Sequence, residues 1–204
     1  NIPAKIEQVF IGESEFDCMA HYQLKPNPNT LYISHQGNLM KEQVDTIMAL
    51  LREHKDRFTP DFKLLLGADN DAQGSKYDLM IICGAAATKS SSTAKCYISE
   101  QPTKVNYKAH MITVRPEIYD DFKKLCMNSK TSDDMTIQAI DENNTIIVTR
   151  PRGDKYSDDA LASMILESNL VRNIVKEKPM TKDWNEDLKL LTNINNKITA
   201  MKMD

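Results

Sequence analysis

The chain has 204 residues, a formal charge of −3, and 41% apolar, 27% charged and 6% aromatic residues. That length can bury a core without disulfide staples, and the ordinary charge and hydrophobicity exclude a wholly disordered chain. Six Gly and eight Pro exclude collagen-like and low-complexity architectures, no apolar run approaches the ~18 residues of a spanning helix, and a pI near 5.9 argues against a dedicated nucleic-acid-binding domain.

In chain order, Lys5–Ile11 and Phe16–Leu24 are rich in β-prone residues around Gly12-Glu13-Ser14-Glu15, which predicts an opening hairpin. Lys25-Pro26-Asn27-Pro28-Asn29 breaks that pattern, because neither proline can donate to a ladder. Leu31–His35 predicts a strand. Met40, Val44, Ile47, Met48 and Leu51 then fall on one helical face, with Asn38 as a candidate N-cap. Phe62–Leu66 and Tyr77–Cys83 predict two strands joined by a long turn.

After the small, polar run Ala85–Lys95, Cys96–Ser99 and His110–Val114 predict further strands. Pro116 suits the first position of a helix whose buried stripe is Ile118, Phe122, Leu125 and Cys126. Met135–Ile140 and Thr145–Thr149 flank a hairpin turn. Ser157 is a candidate cap for a helix bearing Leu161, Met164, Ile165, Val171 and Val175, and Pro179 precedes a last helix carrying Trp184, Leu188, Leu191 and Ile198. The element order predicts an α+β domain: a mixed β-sheet from two β-α-β-β units plus the N-terminal hairpin, helices on one face, and two C-terminal helices. Residues 1–178 form that domain, and 179–204 form a helix packed on it or leading to a neighbouring domain. The chain reads as one part of a larger protein, cytoplasmic or acting inside a cell.

Three segments could carry chemistry. Gly84-Ala85-Ala86-Ala87-Thr88-Lys89-Ser90 follows an apolar run, as a phosphate-cradling turn follows a strand. A glycine, a lysine and a hydroxyl are present, but Thr88 stands where the second glycine belongs and the loop is one residue short. Lys89, Ser90, Ser91 and Lys95 still supply ammonium and hydroxyl donors for an anion, with Tyr97 or Tyr107 to stack on a base.

Asp69-Asn70-Asp71-Ala72-Gln73-Gly74 begins like a calcium loop, with oxygen donors at Asp69, Asp71 and Gln73, but Met80 stands where a bidentate Glu belongs. The same residues are the vocabulary of a hairpin turn. Cys18 and His21, with His35, His54 and His110 elsewhere, offer parts of a thiol or zinc site. In a strand, residues three apart point to opposite faces, which defeats the Cys18–His21 pair.

Charge is unevenly spread. Residues 85–108 hold four lysines against one acid, and 117–142 hold seven acids against three lysines. The sequence therefore favours a non-catalytic binding domain for a nucleotide or other phosphate-bearing small ligand on Gly84–Lys95, with no catalytic signature and no defined cofactor. The alternatives are a protein-interaction module using the acidic helix 117–127 or the C-terminal helices, and a hydrolase with a Cys/His site. A membrane partner is not indicated, and nucleic acid is disfavoured.

Overall fold

The computed structural model describes residues 2–86, 96–101, 103, 105–129 and 134–201, with side chains through 197. The first half alternates strand and helix: β1 (Ile6–Gly12), α1 (Glu15–Leu24), β2 (Thr30–Ser34), α2 (Lys41–Glu53), β3 (Phe58–Gly67) and α3 (Ala72–Ala86). Then come β4 (Cys96–Gln101), β5 (Tyr107–Val114), α4 (Pro116–Asn128), β6 (Thr136–Ile140), β7 (Thr145–Pro151), α5 (Lys155–Glu167), β8 (Ile174–Lys176) and α6 (Trp184–Met201). The fold is α+β. Its strands form two sheets and not one mixed sheet: a parallel sheet in the order β2-β1-β3-β8 and an antiparallel sheet in the order β4-β5-β7-β6.

The expected opening hairpin is instead a β-α-β unit. Residues 16–24 form α1, because Ser14 and Asp17 close a capping box at the helix start. The Ser14 hydroxyl accepts from the Asp17 N–H at 3.1 Å, and the Asp17 carboxylate accepts from the Ser14 N–H at 3.1 Å. Such a cap contributes about 1 kcal/mol. The proline break then fits a connection between parallel strands, and β2 pairs with β1 in register Val9–Leu31.

Tyr77–Cys83 is the other reversal: it lies inside helix α3. Burial all round that helix, including Tyr77, Asp78, Leu79, Ile81 and Ile82, removes the polar face that would have marked its period. It packs against α2, α5 and β4. The proposed pairing of two β-α-β-β units is therefore absent. α5 starts at Lys155 with Asp154, not Ser157, as its cap, and Val175 belongs to β8. Asn38 does not cap α2, which begins at Lys41; its side chain accepts from the Tyr77 hydroxyl at 3.1 Å.

The parallel sheet is covered on both sides. Val9, Ile11, Leu64 and Leu66 face a core shared with α2, α3 and α5, whereas Phe10 and Leu65 face Cys18, Ala20 and Trp184 of α1 and α6. From β1 the chain moves to β2 on one side, and β3 lies on the other. The sheet's direction of winding thus reverses between β1 and β3. No helix among the described residues is long and apolar enough to cross a membrane.

Candidate active site at the carboxyl edge of the parallel sheet

In open α/β sheets, ligands bind beyond the carboxyl ends of strands where the winding reverses. Here that place is the pair Gly12 and Gly67, in register at the ends of β1 and β3. Glu13 follows the first glycine and Ala68-Asp69-Asn70-Asp71 the second. The helices α1 and α3 both begin at this edge, so their N-termini present positive ends of the peptide dipole to it.

The acids are interlocked. Glu13 Oε1 accepts from the Asp69 N–H at 3.1 Å, and Asp71 Oδ1 accepts from the Gly74 N–H at 2.9 Å, capping α3. Asp69 Oδ1 is buried with no hydrogen-bond partner. Burial first, then the charges of Glu13, Asp17, Asp183 and Asp71, push the Asp69 carboxyl up to about 7. Burial also raises Glu13, against the Asp69 N–H that holds it down. An unpartnered carboxylate oxygen among other acids is a cost that a positive charge would lower.

A third loop closes on the same edge. The Gly37 N–H donates to Glu13 O at 3.0 Å and the His35 N–H to Gly12 O at 3.3 Å. Gln36 takes a left-handed backbone, φ 56°, which is strained for a residue with a side chain. From the far end of the chain, Asn185 donates to Asp17 Oδ1 at 3.0 Å, and Trp184 Nε1 donates to Gly67 O at 2.9 Å. Trp184 is 2% exposed and meets the edges of the Phe10 and His21 rings. Phe16 lies in the first turn of α1 and is 64% exposed.

The sequence candidates distribute unevenly over this frame. Asp69 and Asp71 stand at the edge, with Gln73 in the first turn of α3. Gly74 has no left-handed backbone to accommodate: a Cβ there would lie 2.0 Å from Asp69 O, so the glycine admits the loop's close approach. No three His, Cys, Asp or Glu side chains among the described residues form a ready-made metal cage. Magnesium does not need one: it keeps waters and is held by one or two carboxylates plus substrate phosphates.

Gly84 lies within α3, where a Cβ would meet Val44 Cγ1 at 2.3 Å; its smallness serves the α2–α3 contact. Thr88, Lys89, Ser90, Ser91 and Lys95 lie outside the described residues. Tyr97 is exposed on β4, and Tyr107 is half-buried on β5. The strand that was to precede a phosphate turn at Gly84 is a helix, so that premise fails.

Of the cysteine and histidine candidates, Cys18 and His35 lie close to this edge: a Cβ on Gly12 would meet Cys18 Sγ at 3.2 Å, and the His35 N–H donates to Gly12 O. Helix α1 does put Cys18 and His21 on one face, contrary to the strand reading. Burial, however, pushes the Cys18 thiol up to about 12, and the same cause holds Cys83 and Cys126 near 12 and Cys96 near 11. None of the four is poised as a thiolate. His21 is held by the Tyr32 hydroxyl at 3.1 Å and Glu177 at 3.2 Å and stacks on Phe10, with ring centroids 3.9 Å apart. His35 packs edge-on against Tyr77, His54 ends α2, and His110 is buried in β5.

Glu13 and the Ser14–Asp17 box were the signals that sequence reading passed over. An acid directly after an apolar strand, followed by Ser-x-x-Asp, marks a strand-to-helix turn with a carboxylate at its mouth. Comparison with known protein families, curated proteins and solved structures finds no match.

Proposed function

We propose that the chain is a magnesium-dependent phosphate-handling domain, with Glu13, Asp69 and Asp71 as the carboxylates of its site. Its substrate is a phosphate ester or anhydride of a nucleotide, free or within a strand. The observation that carries this reading is the buried, unpartnered Asp69 oxygen between Glu13 and Asp71, at the winding reversal where two helix N-termini converge. Acids answer to the cation, helix N-termini to the phosphate. Phe16, in the first turn of α1, offers an exposed ring for a base. The reading keeps the phosphate-bearing ligand that the ammonium and hydroxyl groups of Gly84–Lys95 suggested, and assigns it to this edge instead.

In this scheme Glu13 and Asp71 hold the cation, each with one oxygen already oriented by a backbone N–H. Asp69, pushed up to about 7, accepts a proton from an attacking hydroxyl or water at neutral pH. The bound magnesium would polarise the phosphoryl oxygens and screen their charge. The N-termini of α1 and α3 stabilise charge on the phosphate oxygens as it develops.

The test is a Mn2+ titration of the full chain by electron paramagnetic resonance. It is followed by Mg2+ incubations with nucleoside triphosphates and with a labelled single-stranded oligonucleotide. The expected result is saturable Mn2+ uptake, weakened at least about tenfold in Asp71→Asn, and turnover of one substrate class that Asp69→Asn abolishes. Equal Mn2+ uptake by the wild type and Asp71→Asn would remove the basis of the reading.

A second reading, a protein-interaction surface, is favoured by a separate cleft of about 280 Å3 between α4 and the end of α5. Ile118, Phe122, Leu125 and Leu170 line it, with Asp121 and Glu167 beside them. It suits a peptide that pairs an apolar anchor with a basic residue. Asp121→Lys with Glu167→Lys should abolish binding of such a peptide without lowering the melting temperature; retained binding counts against this use.

A further inference from the structure

A separate cleft of about 480 Å3 opens on the α1 face of the parallel sheet, at the other end of α1 from Glu13. That volume is within the range of small-molecule sites. Its floor is the sheet itself. Gln8 of β1 and Lys63 of β3 are partners across the two strands, and Leu65, the next residue of β3 on this face, has Val175 of β8 beside it. Its wall is the end of α1 and the turn that follows, with His21, Lys25 and Asn27.

Strands β1 and β3 are the interior strands of this sheet. Interior parallel strands ordinarily read as unbroken apolar runs, because both their faces are covered. A glutamine and a lysine side by side there depart from that rule. Lys63 is exposed and forms no ion pair among the described residues.

The polar groups of the cleft have used their acceptors and kept donors. Each Glu177 oxygen already accepts, one from Lys25 and the other from His21 at 3.2 Å. Gln8 Oε1 accepts from the Thr30 hydroxyl at 3.2 Å, and Asn27 Oδ1 from the Asn29 N–H at 2.9 Å. The two side-chain NH2 groups and the Lys63 ammonium are left to donate. His21 is 1% exposed and also bonded to the Tyr32 hydroxyl at 3.1 Å, so both its ring nitrogens are engaged in holding the wall. Lys178, next in the chain after Glu177, is spent elsewhere, donating to Ala68 O and Asp69 O at 3.0 Å each.

We infer that this cleft binds a small organic monocarboxylate, its carboxylate on the Gln8–Lys63 pair and its apolar body along Leu65 and Val175. Lys25 and Glu177 balance each other, so one ammonium is unmatched, which suits a monoanion and leaves a phosphate dianion half compensated. The ligand's body covers Val175, an apolar side chain 41% exposed on the edge strand of the sheet. None of these residues takes part in the magnesium reading.

The experiment is calorimetric titration of the full chain with butyrate and hexanoate, with hexanol and inorganic phosphate as comparisons, for the wild type and Lys63→Met. Amide NMR shifts of the wild type locate the ligand. Hexanoate is expected to bind saturably and about tenfold more tightly than butyrate, which has two fewer methylenes. Lys63→Met should weaken it about tenfold or more, and the shifts should centre on Gln8, Lys63 and Val175. No saturable uptake of hexanoate overturns the inference. So does hexanol or phosphate binding as tightly as hexanoate, wild-type affinity in Lys63→Met, or shifts centred on Glu13 and Asp69. Lys63 is exposed, so its variant keeps the wild-type melting temperature to within a few degrees. Should it not fold, Lys63→Gln keeps a polar side chain there and is read in the same way.

Discussion

The indole N–H of Trp184 donates to the carbonyl of Gly67, 117 positions earlier, at 2.9 Å. Gly67 has no room for a side chain, because a Cβ there would lie 2.1 Å from the Phe10 ring. Both rings pack on one face of the sheet, with centroids 5.7 Å apart, and together they close the end of β3. Trp184→Ala should cost about 3–5 kcal/mol, from a cavity in the smaller core. Trp184→Phe should cost less, about 1–3 kcal/mol, because it keeps most apolar contacts but leaves a buried carbonyl unpaired. Urea unfolding checks both values, and an alanine variant as stable as wild type would contradict the packing described.

Asp69→Asn should stabilise the metal-free protein. The folded carboxyl is pushed up to about 7, against about 3.9 in an unfolded chain. The folded state therefore binds the extra proton between those values, and wild-type stability falls as pH rises through that window. The amide removes this cost. Its advantage is absent below about pH 4, grows through pH 7 and is complete above it. Because Asp69 is only partly buried, a gain of a few degrees in melting temperature is expected. Melting curves from pH 4 to pH 8 in chelator test this; a variant uniformly less stable would show that the acids there are not in conflict.

Two alanine substitutions separate two uses of glycine. Gly74→Ala puts a methyl group 2.0 Å from Asp69 O, a backbone atom, so the loop must move. It should cost about 1–3 kcal/mol and weaken Mn2+ uptake. Gly84→Ala meets only Val44 Cγ1, at 2.3 Å. It should destabilise by a similar amount through the α2–α3 contact yet leave Mn2+ affinity unchanged once folded. Calorimetric melting with Mn2+ titration distinguishes them, and equal effects on uptake would contradict the assignment of Gly84 to packing.

His110 makes the protein acid-sensitive. Burial, then the nearby Arg150 charge, lowers its folded value to about 4. An unfolded histidine titrates near 6.5, so the unfolded state takes up the proton first. Stability is lost as pH falls from about 6.5 towards 4, by at most about 3 kcal/mol. His110→Leu should flatten this dependence, with its advantage over wild type growing as pH falls. Parallel urea titrations at pH 7, 6, 5 and 4.5 check it; identical slopes for both proteins would rule out His110 as the cause.

Legibility in the sequence followed how far each element shows water one face. The helices α2 and α4 have clean apolar stripes, Val44-Ile47-Met48 and Phe122-Cys126, and both were readable. The antiparallel strands β5 and β7 were also readable, since turn residues such as Asn144, at φ 49°, mark the hairpin between β6 and β7. Helix α3 was not, because packing on several sides erased its period. Helix α1 was lost for another reason: it exposes Phe16, Met19 and Tyr22, so its apolar residues do not mark its buried side. Half the candidate site was visible, as Asp69 and Asp71. Ser14-x-x-Asp17 marked the turn at Glu13, but its nearness to Asp69 depends on β1 and β3 lying side by side, which winding sets and no local pattern shows.

The order in which a ribosome releases this chain has a consequence for when the acidic edge is finished. Glu13, Asp69 and Asp71 emerge before the lysine that grips the loop carbonyls, which comes 109 positions after Asp69. In between, the whole antiparallel sheet must be made. A nascent chain halted before residue 178 thus lacks the side chain that holds the Ala68 and Asp69 carbonyls, and the final shape of this loop is set late in biosynthesis.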